Sequence, residues 1–154
     1  MYKLFISAIL FSFIIAACNN STQQPQNPAT EGPKTKEDSL YRDVMEAHNI
    51  AMPKMGKLKG YQSLVQLQLD SLAKLPAAAR QGSVALKTTL DSLLESLQYA
   101  AMAMDKWMSE FVPDSASENP DLRIQYLESE KRKAEKMKEN VLSSIERAKE
   151  ILKQ

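Results

Sequence analysis

From Thr35 onward, apolar residues recur in steps of three and four, the spacing of one helical stripe. The first stretch runs from Lys36 to about Leu75. Its apolar face reads Tyr41, Val44/Met45, His48, Met52, Met55, Leu58, Tyr61, Val65, Leu69 and Leu72. Thr35 stands where a side-chain oxygen caps a helix, with Asp38 and Ser39 in the first turn, and Pro76 marks the stop. The second stretch runs from about Ala78 to Phe111. Leu90, Leu97, Met104 and Phe111 recur every seven residues, and Leu94, Ala101 and Met108 interleave with them as an a/d pattern. Pro113, Asp114, Ser115 and Ser117 form the next loop.

The third stretch runs from about Pro120 to Leu152. Asn119 before Pro120 is an N-cap and first-turn pair. Leu127, Ala134, Val141 and Ala148 form one heptad row, with Met137, Ile145 and Leu152 beside it. Residues 130–139 mix both charge signs densely and read as a solvated helix face. Short connections between long helices make sequential neighbours antiparallel. The expected fold is all-α: an elongated, up-down-up antiparallel three-helix bundle over residues 35–154. At 1.5 Å per residue its helices would be roughly 50–60 Å long.

Ahead of this body, the pattern changes twice. Lys3 gives a positive start, and Leu4 to Ala17 is an apolar run too short to span a membrane. It ends in Ile15-Ala16-Ala17-Cys18, which resembles a bacterial lipobox. Residues 1–17 then form a lipoprotein signal peptide, and Cys18 becomes the acylated N-terminus. Acyl chains contribute about 0.8 kcal/mol per buried CH₂, so two or three anchor a protein stably. Residues 19 and 20 are both Asn, and by resemblance to sorting rules the absence of Asp at position 19 disfavours inner-membrane retention; the segment also lacks an acidic surface-export run. The expected address is the outer membrane, lipid-anchored, on the periplasmic face. Residues 19–34 are polar, with Pro25, Pro28, Gly32 and Pro33, and with Cys18 they form a flexible tether. Its random-coil span is about 20–25 Å.

Composition narrows function mainly by exclusion. The chain's 154 residues carry 20 Lys+Arg against 19 Asp+Glu, without the basic excess of a nucleic-acid binder. Without Lys3 of the leader, the balance becomes 19 against 19. One Cys and one His leave no material for a disulfide framework, a Cys-rich zinc site or a His cage. Four Gly and 6% aromatics argue against a β-sandwich or a nucleotide-binding α/β fold. A catalytic acid–base pair or an activated nucleophile has little to draw on.

Candidate chemistry gathers at one end. Folding the first hairpin about Pro76 to Ala79 sets His48 level with Trp107 and Met52 level with Ala103 or Met104. Folding the second about Ser115 sets Met104 level with Leu127. Of eight methionines, Met45, Met52, Met55, Met102, Met104 and Met108 then lie near the only His and the only Trp. Pro53 interrupts the helix there by denying the Asn49 carbonyl its donor. Gly56 and Gly60, four apart, offer close approach to a neighbouring helix. Thioether sulfur and imidazole nitrogen suit Cu(I), so His48, Met52, Met55, Met104 and Met108 are candidate metal ligands. Asp43 or Asp105 would orient the imidazole. The same cluster also reads as adaptable core packing, the commoner use of Met at helical spacing, or as a Met-lined groove for a peptide or lipid chain. A haem held by His48 and a Met ranks below copper, because three helices leave little room.

The stretch Met45, His48, Met52, Pro53, Lys54, Met55, Gly56, followed by Met104, Trp107, Met108 and Phe111, resembles a family of small Bacteroidota lipoproteins. Its members are often labelled "viral A-type inclusion protein". The likeness extends over the leader, the tether and all three helices. The chain departs from the pattern at Asn49 and Ile50, where the family is acidic. The resemblance implies an envelope lipoprotein whose distinctive residues sit at the Met/His end. The expected function is a non-enzymatic binding or scaffold module, tethered to the membrane by lipid, with an envelope protein as partner and no nucleic acid. The alternative is a Cu(I) chaperone or buffer.

Overall fold

The structure, a computed structural model, describes residues 35–153. The leader, Cys18 and the tether lie outside the described residues. The elements are α1 (Lys36–Ala51), a 3₁₀ turn (Met52–Lys54), α2 (Met55–Ala73), α3 (Ala77–Gly82), α4 (Val84–Glu110) and α5 (Pro120–Leu152). The body is all-helical, with no strand among the described residues. No helix among them is long and apolar enough to cross a membrane.

Local chemistry sets most of the boundaries. Thr35 caps α1 through a reciprocal pair: its Oγ1 accepts from the Asp38 N–H at 3.0 Å, and Asp38 Oδ2 accepts from the Thr35 N–H at 3.1 Å. Pro53 has no N–H, so the backbone tightens into the 3₁₀ turn before resuming as α2. The first expected helix is therefore two, and Pro76 ends the second with an extended backbone. The expected second helix is also divided, into the short α3 and the long α4, with Ser83 between them. Asn119 Oδ1 accepts from the N–H groups of Asp121 and Leu122, each at 3.1 Å, and Pro120 begins α5 as expected.

The core is one continuous cluster. Val44, Ala47, Ala51, Leu58 and Val65 come from α1 and α2, and Leu90, Leu93, Leu97, Ala100 and Met104 from α4. Ala134, Met137, Val141, Ile145 and Ala148 come from α5. The heptad row of α5, from Leu127 to Ala148, is buried as expected. On α4 the second buried row is Leu93, Ala100 and Trp107, one position earlier than the row read from the sequence. Leu94 and Ala101 only flank the core, and Met108 is exposed.

Polar contacts fix which residues meet. Between α1 and α5, Glu37 pairs with Arg123 at 2.8 Å, Lys36 with Glu128 at 2.8 Å and Asp43 with Lys131 at 2.6 Å. Between α2 and α4, Gln62 donates to the Leu97 carbonyl at 2.9 Å. Between α4 and α5, Arg147 donates to the Ser92 and Ser96 hydroxyls, and Ser144 donates to the Ser96 carbonyl. His48 faces Trp107, as the first hairpin predicted. The second hairpin differs from expectation. Trp107 meets Glu130 and Val112 meets Tyr126, which shifts the level of Met104 from Leu127 by about two helical turns, toward Ala134. The loop of residues 111–119 is lopsided, because Arg123 Nη1 donates to the Ser115 carbonyl and draws the loop onto α5. Gly56 and Gly60 are exposed with open space beside them, so no helix closes on them as the sequence had implied.

Candidate functional site

The irregular end of the body is built on stacked rings. Tyr41 of α1 lies 6.4 Å from Phe111, and His48 lies 5.5 Å from Trp107, centroid to centroid. Trp107 stacks on Phe111 at 4.9 Å, and Phe111 faces Tyr126 at 6.3 Å. Both contributions from α1 fall on one flank because residues 41 and 48 are two turns apart. The Tyr126 hydroxyl accepts from the Val112 N–H at 2.8 Å, tying the chain that leaves α4 to α5.

Under this stack lies a buried charge. Glu130 is only 3% exposed. Its Oε2 accepts from Trp107 Nε1 at 3.1 Å, and its Oε1 accepts from Lys133 Nζ at 2.7 Å. A buried carboxylate is tolerated where both oxygens are hydrogen-bonded. The hydrogen bond to Glu130 holds the Lys133 ammonium above the usual lysine range, against the opposing effect of burial. Glu130 belongs to the charge run expected to be solvated, and its burial corrects that expectation. The signal was present: Glu130 lies three after Leu127 and four before Ala134, on the inward row.

The sequence-predicted ligands divide into two groups. Met55 and Met104 are buried in the core cluster. Met52 and Met108 are 42% and 39% exposed, and His48 is half-buried. The imidazole's side-chain partner is Asn49, whose Oδ1 lies 3.1 Å from Nδ1. Asp43 does not orient it. That carboxylate is held by Lys131, whose hydrogen bond keeps it below the usual range. Asp105 is exposed on α4. Cys18, the expected lipidation site, lies outside the described residues.

A groove of about 560 Å³ opens beside the stack, between α4 and α5. Its apolar lining is Tyr99, Met102, Ala103, Trp107 and Met137. Lys106, Arg132, Lys133 and Lys136 line it too, against Glu110 alone among acids. A scan against protein-family models, and searches of curated proteins and of solved structures, find no match to this chain.

Proposed function

We propose that this chain is a non-enzymatic envelope lipoprotein: a helical binding module on a lipid tether, facing the periplasm from the outer membrane. The anchor reading rests on the lipobox at Ile15 to Cys18 and on the polar tether after it. The non-enzymatic reading rests on the scarcity of base and nucleophile, since the chain has one His and one Cys. The module itself we read as an elongated, up-down-up bundle with α1–α2, α4 and α5 as its three limbs. The ion pairs Glu37–Arg123 and Asp43–Lys131 ascend together and support parallel α1 and α5. The pairs Trp107–Glu130 and Ser96–Ser144 run oppositely and support antiparallel α4 and α5.

The observation that carries the binding function is the groove between α4 and α5. It combines an exposed Met, two aromatic side chains and a cationic rim, the makings of a contact with an acidic, partly apolar protein segment. Met contributes an adaptable surface that can repack against its partner. The test is photo-crosslinking in intact cells from positions 99 and 102, with position 59 on α2 as control. One discrete envelope protein captured from both groove positions and not from the control is the expected result. Equal capture from all three, or none, overturns the reading. A metabolic label with an alkyne fatty acid should mark the chain, and Cys18→Ala should abolish the mark.

A further inference from the structure

The flank of α1 whose rings meet Trp107 and Phe111 carries donor residues that lie outside the core cluster. Met52 follows His48 by one turn. Its N–H bonds the His48 carbonyl, and its backbone is still helical at φ −55° and ψ −44°. The two side chains therefore share a face. That face borders α4, because Tyr41 and His48 on it meet Phe111 and Trp107. Met108 is the next residue after Trp107 on α4. Met45, half-buried, lies three residues before His48 on the same flank. Met52 and Met108 remain 42% and 39% exposed, whereas Met55 and Met104 belong to the core.

The imidazole can present a ligating nitrogen. Asn49 Oδ1 lies 3.1 Å from Nδ1 and accepts in the tautomer that carries the proton there. In that tautomer Nε2 keeps its lone pair, and a partner on the other ring nitrogen is the usual support of a metal-bound His. The donors this flank of α1 offers are the thioethers of Met45 and Met52 and the imidazole of His48. Thioethers with one imidazole select a soft, monovalent cation.

We infer that His48, Met52 and Met108 bind one Cu(I) ion at the seam between α1 and α4, with Met45 as a further thioether on that flank. The step is ligation alone: the ion enters and leaves as Cu(I), and no electron is transferred. The site is separate from the groove between α4 and α5.

The test titrates the full-length chain in detergent with Cu(I), under reductant, against a chromophoric Cu(I) chelator. The chain has a single Trp, and it lies against the proposed ligand, so its fluorescence reports the site. The expected result is one equivalent of Cu(I) withdrawn from the chelator together with quenching of Trp107. Met52→Leu, Met108→Leu and His48→Gln should each weaken binding by about tenfold or more. Met102→Leu, on the other side of α4, should leave it unchanged. Circular dichroism checks that each variant keeps its helices. Failure to compete with the chelator overturns the proposal. So does unchanged affinity in a Met52→Leu/Met108→Leu double variant, or an equal loss in Met102→Leu. Partner capture in the other groove has no bearing on any of these outcomes.

Discussion

The two halves of the helical body solve the same packing problem in different ways. Around Val65, Leu90, Leu97, Val141 and Ala148 the interior is aliphatic but for Tyr61, and its polar contacts are hydroxyls, an amide and Arg147 set at the edges. Around His48, Trp107, Phe111 and Tyr126 the interior is aromatic, a carboxylate is buried in it, and three methionines reach the surface. The first half uses well-defined rotamers that specify one arrangement. The second uses stacked ring faces and adaptable sulfur, part of it at the surface. The 3₁₀ turn at Pro53 lies within the second half, so the backbone irregularity and the unusual side chains coincide.

The difference is broken most severely in the plain half. Leu97 is fully buried, and Leu97→Ala removes transfer energy and leaves a cavity. The expected loss is about 3–5 kcal/mol, read as a lower urea midpoint at constant slope. Copper titration of any folded fraction should be unaffected, because no ligand is touched. A loss below about 1 kcal/mol would mean that this half is far less tightly packed than its burial implies.

In the unusual half the informative change is at Glu130. Glu130→Ala leaves Trp107 Nε1 without its acceptor and Lys133 without its partner. Orphaning a buried donor costs about 1–3 kcal/mol. Glu130→Gln keeps an oxygen for the indole and gives up the charged pair with Lys133, whose half-exposed ammonium can turn to solvent, so it should cost less. Equal losses in the two variants would assign the whole effect to the Lys133 pair. Trp107 emission should shift in Glu130→Ala, because the indole exchanges a carboxylate for solvent or a void.

How much of this contrast was legible depended on the kind of signal. Caps and prolines act locally, so Thr35, Asn119 and Pro120 marked the helix starts correctly from neighbouring residues alone. The level of His48 with Trp107 followed from a turn of nearly symmetric length. Periodicity was less decisive on α4. Rows through Leu93, Ala100, Trp107 and through Leu94, Ala101, Met108 interleave equally well with Leu90, Leu97 and Met104. The choice between them is tertiary, settled by an indole that finds Glu130. Glu130 itself was hidden because a charge within a charge run reads as outward, and only its place on the heptad row says otherwise. The split of the methionines into buried and exposed was likewise invisible, since all of them score as apolar.

Gly60 sharpens the comparison by a smaller amount. It lies inside α2, and a Cβ added there would have nothing within 4 Å, so a methyl group meets only solvent. Gly60→Ala should stabilise the body by about 0.5–1 kcal/mol, through lower entropy of the unfolded chain and better helix propensity. The same substitution would destabilise it if a neighbouring helix approached as the Gly56–Gly60 spacing had implied. Thermal unfolding of this single variant therefore separates the two accounts of that spacing by the sign of the change.

The smallest effect is electrostatic and belongs to the contact between α1 and α5. Lys131 donates to Asp43 at 2.6 Å and lowers the carboxyl's pKa, and Arg42 adds to the lowering. A carboxyl depressed in the folded state contributes stability that is fully present above its unfolded value. That contribution disappears as pH falls through the folded one. The pair is partly exposed, so its worth is under about 1 kcal/mol and diminishes with added salt. Asp43→Asn should accordingly cost a few tenths of a kcal/mol at neutral pH and nothing once the carboxyl is protonated in both states. Because Asp43 does not touch His48, Cu(I) affinity should stay constant in this variant. A weakened copper site in Asp43→Asn would instead mean that the carboxylate orients the imidazole, and the roles of Asn49 and Asp43 would have to be exchanged.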